Sequence, residues 1–211
     1  TPWGNSLFEC VFDYDANLQQ STYFGGTGNS VINDVVTDVN GNVYVAGATT
    51  YGHPTTAGAY GATYSGGTWD AFVSKFSPSG QLLYSTYLGG SAEDSAAALA
   101  VDAQGIVTVT GLTYSANFPT TTNAVDRTLG GERDAFVARL SASGGSLLYS
   151  TYLGGNSWDY GQQIALGPTG DIFMAGFTHG DFPTTPGAAQ TVFGGYGDAY
   201  VVHLSTGGAL L

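Results

Sequence analysis

The phrase Ser-Thr-Tyr-(Phe/Leu)-Gly-Gly occurs three times, at residues 21–26, 85–90 and 150–155, in steps of 64 and 65 residues. A fixed step of this size marks one supersecondary unit copied in tandem. Other phrases keep the step: Asp-Ala-Phe/Tyr at Asp70, Asp134 and Asp198, Pro-Thr-Thr at Pro54, Pro119 and Pro183, and a small Gly-x-Thr run centred on Gly47, Gly111 and Gly176. The whole chain is therefore read as a single repeat domain spanning residues 1–211.

Composition says what the unit is made of. With 33 Gly, 14 Tyr and only 9% charged residues, the chain disfavours helix and favours strands joined by tight turns. In the second copy, residues 96–101 form a first strand, Asp102-Ala103-Gln104-Gly105 a turn, and residues 106–111 a second strand. The equivalent turns Asp38-Val39-Asn40-Gly41 and Gly167-Pro168-Thr169-Gly170 change their letters, which favours a hairpin over a calcium loop. About 20 residues later comes a third strand at Asp134. Phe8, Phe72, Phe136 and Tyr200 share its inner face with Phe12, Phe76, Leu140 and Leu204, and the middle position is held by Cys10, Ser74, Ala138 and Val202. Cys10, the only cysteine, is thus expected in a core, and no intrachain disulfide is possible. On the opposite face Val11, Lys75, Arg139 and His203 share one position, expected at a rim or inter-unit contact. A fourth strand follows at residues 82–88, 147–153 and 18–24.

The expected fold class is all-β: β-propeller-like tandem four-stranded antiparallel blades, about three to three and a half of them, incomplete at both ends. Residues 8–24 supply the last two strands of a partial blade. Full blades cover 30–88 and 94–153, and 159–211 form a blade whose fourth strand is truncated. A β-solenoid is the alternative, though its rungs are shorter.

The motifs Gly89-Gly90, Asp94, Gly105, Gly111, Thr113, Phe118-Pro119-Thr120-Thr121, Asp134-Ala135-Phe136-Val137 and Tyr149 through Gly155 resemble the SBBP repeat family. That resemblance covers nearly everything from residue 8 onward. It implies a bacterial or archaeal β-propeller of an exported or surface protein, and it brings no catalytic motif. The seven-bladed ring of the family name needs far more chain than 211 residues, so the partial blades are expected to be paired in an assembly, with copies of this chain or with further blades of a longer one.

The formal net charge is −12, from 16 acidic and 4 basic residues. Such a surface repels phosphate backbones and anionic membranes, so nucleic acid is not an expected partner. No stretch is long and apolar enough to span a bilayer. Scarce Lys beside abundant Thr, Tyr and Gly points to an extracellular or cell-surface location.

Chemistry is sparse. Glu93-Asp94 is an adjacent acid pair, but Asp94 and Asp159, like Asp70, Asp134 and Asp198, are expected to accept hydrogen bonds from turns. His53, His179 and His203 have no metal-ligand spacing, and His53 takes the place of Phe118 and Phe182. No nucleophile elbow or phosphate loop is present. No catalytic residue, metal or cofactor is expected, and the chain is not expected to be an enzyme. An axial lyase or hydrolase site built on Asp94 and Asp159 is the remotest of the readings.

Long inserts at residues 50–69, 114–133 and 179–197 are the candidate recognition surface, with Tyr51, Tyr60, Tyr64 and Trp69 in the first and Phe193 and Tyr196 in the last. Aromatic rings beside Thr, Asn and Asp suit sugars or surface proteins. The competing reading is that the inserts cover a blade edge. The leading functional expectation is a structural or adhesive surface protein, with a subunit of a larger assembly or filament as its sharper form. The alternative is a carbohydrate- or protein-binding module of a larger exported protein.

Overall fold

The computed structural model describes residues 7–12, 15 and 17–211, and within them every element is a strand. β1 (Leu7–Phe12) and β2 (Leu18–Phe24) pair as a two-stranded ribbon. Sheet I runs β3 (Ser30–Thr37), β4 (Val43–Thr49), β5 (Asp70–Phe76), β6 (Leu82–Leu88). Sheet II repeats it as β7 (Asp94–Val101), β8 (Val107–Thr113), β9 (Asp134–Leu140), β10 (Leu147–Leu153). Sheet III has three strands, β11 (Asp159–Leu166), β12 (Ile172–Thr178) and β13 (Asp198–Leu204). All pairings are antiparallel between sequence neighbours, and no sheet closes among the described residues.

The hairpins between first and second strands close as the sequence predicts. Gly41, Gly105 and Gly170 sit at φ of 78°, 79° and 83°, a backbone region that a side chain disfavours. Asp38 spends all its acceptor capacity inside its turn, taking bonds from the amides of Asn40 and Asn42, from Asn42 Nδ2 and from the Tyr44 hydroxyl. The hairpin reading of this segment therefore stands over a calcium loop.

A second glycine requirement lies inside the sheets. The first strand of each carries a register shift, between Ile32 and Asp34, Ala96 and Ala98, and Gly161 and Gln163. That bulge pushes a carbonyl against the second strand. A Cβ on Gly47, Gly111 or Gly176 would stand 1.8 Å, 1.9 Å and 1.9 Å from the oxygens of Val31, Ser95 and Tyr160. The repeated glycine is thus a matter of space.

The sheets stack face to face. On β9, Phe136, Ala138 and Leu140 enter a core shared with Tyr44, Val73 and Leu88 of sheet I. The alternate residues Ala135 and Val137 enter a core shared with Ile172, Met174 and Val202 of sheet III. Phe24 of β2 packs on Phe72 and Phe76 of sheet I. Period-two alternation thus serves two interfaces at once, and β9 is buried on both faces. The seams repeat in detail: Tyr84 packs on Gly144 of the next sheet, and Tyr149 packs on Gly208 and donates to its carbonyl at 2.9 Å. Arg139 also crosses a seam, donating to the Thr206 carbonyl at 2.8 Å while pairing with Asp102 at 3.4 Å. The expectation of an inter-unit contact at that position holds for Arg139. Lys75 lies over the Tyr44 ring of its own sheet and also stands beside the Gly105 turn of sheet II, and His203 bonds Asp171 at 2.7 Å. Cys10 lies in β1, but its side chain is outside the described residues.

A candidate strand-accepting groove

In sheets I and II the fourth strand lies between the third strand and the long insert. β6 pairs with β5 on one side. On the other, Thr56 N donates to Ser85 O at 3.2 Å and Tyr87 N to Gly61 O at 2.9 Å. β10 repeats this with Thr121 N to Ser150 O at 3.0 Å and Tyr152 N to Asp126 O at 3.2 Å. The inserts therefore cover a sheet edge, in line with the plainer of the two expectations for them.

Sheet III has the same walls around a void. One repeat beyond Thr121 and Asp126 stand Thr185 and Gln190, and between them and β13 runs a groove of about 510 Å³ floored by Tyr200 and Val202. Leu210 bridges Leu204 and Leu211 N donates to His203 O at 2.9 Å, so only the start of the fourth-strand position is filled. Residues 199–202 have no backbone partner on that edge among the described residues. Sheet III's outer face is bare as well: Val201 is 78% exposed, whereas its equivalent Val137 is 0%.

The groove also has an aromatic vacancy. In sheet II, Phe118 packs on Phe136 and Tyr152, and the Tyr152 hydroxyl donates to Ser115 O at 2.6 Å. In sheet I, His53 packs on Phe72 and Tyr87, and His53 N donates to the Tyr87 hydroxyl at 2.8 Å. In sheet III, Phe182 stacks on Tyr200 with centroids 3.8 Å apart, and the fourth-strand tyrosine is missing.

His53 occupies the Phe slot as its spacing predicts. Burial lowers its pKa to about 4, and its Nε2 lies 3.2 Å from Ser85 Oγ. That Ser–His contact is enclosed, with the two residues 0% and 5% exposed, so it offers nothing to a substrate.

The recurring acids do accept turn amides. Asp70 takes Ser65 N, Asp94 takes Gly90 N, Asp134 takes Gly130 N, Asp159 takes Gly155 N and Asp198 takes Gly194 N. Burial, above all, pushes Asp70 up to about 7 and Asp94 and Asp134 up to about 6, and raises Asp159.

The six aromatics picked from the inserts do not share one cavity. Phe193 lines the groove, and Tyr196, fully exposed with φ 65°, lies near it in sequence only. Tyr51 and Tyr60 are exposed, Tyr64 leans on Tyr87, and Trp69 is half-buried, its carbonyl bonded to Asp94 N. A cluster that sequence reasoning missed lies at the sheet II–III seam. The Arg133 guanidinium sits over Trp158 at 4.8 Å and donates to the Tyr114 hydroxyl at 3.0 Å, and Tyr160 stacks on Phe177. Its members come from an insert, the loop between β10 and β11, and two strands, and no linear motif joins them. Among the described residues no helix is long and apolar enough to cross a membrane, and no three His, Cys, Asp or Glu side chains group as a metal centre. No protein-family model matches the chain, and no curated protein matches it.

Proposed function

We propose that this chain is a non-enzymatic β-propeller-type scaffold of an extracellular or cell-surface structure, in which the groove beside β13 holds a β-strand that completes sheet III. The observation that carries this reading is the groove beside β13, walled like the slots that hold β6 and β10. The fitting partner is a strand of this same repeat, Leu-Leu-Tyr-Ser-Thr-Tyr-Leu as in β6 and β10, supplied by a second copy or by a further module of the same polypeptide. Main-chain bonds to β13 would provide affinity, and the second tyrosine, entering beside Phe182 and Tyr200, would provide register. The propeller arrangement is supported by the repeated face-to-face seams, and the surface location by the composition.

Light scattering across a concentration series, with and without a peptide of residues 147–154, tests this. The scaffold reading predicts self-association that the peptide caps, or tight peptide binding by a monomer whose neighbour is a further module. A monomer indifferent to the peptide contradicts it.

A second reading, a glycan-binding module, draws support from the Tyr114–Arg133–Trp158 cluster, where Trp158 is 42% exposed. Glycan-array binding lost in Trp158→Ala would favour it.

A further inference from the structure

Two pairs of buried acids stand at the seams between sheets, independent of the groove. Asp70 opens β5 of sheet I and Asp94 opens β7 of sheet II, and both are 0% exposed. Asp70 Oδ2 takes Ser65 N at 2.6 Å, and Asp94 Oδ2 takes Gly90 N at 2.7 Å and Ser115 Oγ at 2.9 Å. Asp70 Oδ1 is buried without any partner, and Asp94 Oδ1 has no close hydrogen bond, only the Thr113 hydroxyl nearby. Between the two carboxyl groups lies the space that a side chain on Gly89 would fill. A Cβ there would be 3.0 Å from Asp70 Oδ1 and 2.8 Å from Asp94 Oδ2. Gly89 is absent from the residues with positive φ, so room is its evident purpose.

The next seam repeats the arrangement. A Cβ on Gly154 would be 2.6 Å from Asp134 Oδ1 and 2.7 Å from Asp159 Oδ2, and Asp159 Oδ1 is buried with only the Thr178 hydroxyl nearby. Asp134 Oδ1 has a single long contact, to Gly131 N at 3.3 Å. Arg133 and His179 are close enough to Asp159 to favour its charge, yet no ion pair reaches any of the four acids among the described residues. The acids also come and go together. At the first seam Ser30 replaces the first-strand acid, and Ser6, one repeat before Asp70, replaces its counterpart.

Two facing carboxylates sealed from water need a countercharge. We propose that each pair, Asp70 with Asp94 and Asp134 with Asp159, binds one hard divalent cation, Ca²⁺ by preference, at the seam between consecutive sheets. The oxygens that meet over the glycines are Oδ1 of one acid and Oδ2 of the other. Asp94 Oδ2 already accepts Gly90 N and Ser115 Oγ, so a proton shared there would compete with both, whereas Ca²⁺ takes one oxygen from each carboxylate without displacing those bonds. Among the described residues no third acid, His or Cys joins either pair, so main-chain carbonyls and water carried in with the ion complete the shell. The ion ties one sheet to the next, through its own residues rather than through any ligand of the groove.

Calorimetric titration of chelator-treated protein with Ca²⁺, alongside thermal unfolding in Ca²⁺ and in EDTA, tests the proposal. Two ions per chain are expected, with Kd of about 10⁻⁴ to 10⁻³ M and a rise of several degrees in Tm at about 10 mM Ca²⁺. Asp94→Asn and Asp159→Asn should each remove one ion. Should a single Asn variant fail to fold, the double variant Asp70→Ser/Asp94→Ser, which copies the residues one repeat earlier in the sequence, serves in its place and should bind one ion. No uptake by the parent chain at about 10 mM with identical Tm in Ca²⁺ and EDTA overturns the proposal. So does a stoichiometry unchanged in these variants.

Discussion

Asp70 and Asp94, on successive sheets, both reach within 3.0 Å of the point where a Gly89 side chain would begin. That convergence fixes how stability should depend on pH when no divalent cation is present. Burial holds Asp70, Asp94 and Asp134 at about 7, 6 and 6 in the folded chain, against an ordinary value of 3.8. Between these limits the folded state binds more protons than the unfolded one, so their contribution is full below about pH 4 and is lost as pH rises through 6 to 7. His53 acts oppositely. Its folded value of about 4 lies below the ordinary 6.5, so its contribution is present above 6.5 and is lost as pH falls toward 4. Three acids outweigh one imidazole. In EDTA, Tm is expected to rise as pH falls from about 8 to about 5, and scanning calorimetry at fixed ionic strength checks the sign.

His53 stands where the other copies place Phe118 and Phe182, and its Nδ1 is buried without a partner. His53→Phe should therefore stabilise the fold by about 1 kcal/mol at pH 7. Ser85 keeps its bond from Ser74 Oγ at 2.8 Å, which limits the loss. Urea unfolding at pH 7 and pH 5 reads both effects, and the gain should be larger at the lower pH because the imidazole no longer has to shed its proton on folding.

Gly111→Ala would place a methyl 1.9 Å from Ser95 O, a main-chain atom held in the β7–β8 ladder. Separating the two strands there is expected to cost about 2–4 kcal/mol, read as a fall in the urea midpoint. Gly58→Ala is the contrast: its Cβ meets nothing within 4 Å, and only its φ of 81° opposes the change, for about 1 kcal/mol.

Arg139 joins Asp102 in its own sheet to the Thr206 carbonyl of sheet III, and its side chain is 13% exposed. Arg139→Ala should destabilise by about 1–2 kcal/mol, more than an exposed ion pair would. Lys75→Ala, at the same repeat position but with no ion pair, resting on Tyr44 and beside the Gly105 turn, should lose less.

Much of the architecture was legible in the sequence because the repeat fixes it several times over. Phe72, Phe136 and Tyr200 with Ser74, Ala138 and Val202 announced the inner face of the third strand, and all six are buried there. What was hidden is what depends on two units meeting. Asp70 and Asp94 each look like a turn acceptor within one repeat, and they face each other only once the sheets stack. The Arg133, Tyr114 and Trp158 cluster is hidden for the same reason. The inserts were legible only in part, because Tyr51, Tyr60 and Trp69 mark the segment, whereas the backbone beside them is what secures the fourth strand.

The claim on which the account rests is that β13 offers an open edge for a strand like β10. Hydrogen exchange of the β13 amides, with and without saturating peptide 147–154, tests it most directly. The account predicts that residues 199–202 gain protection when the peptide is present, and that a peptide with its second tyrosine changed to alanine protects them less. Exchange at β13 that is the same with and without the peptide would contradict it.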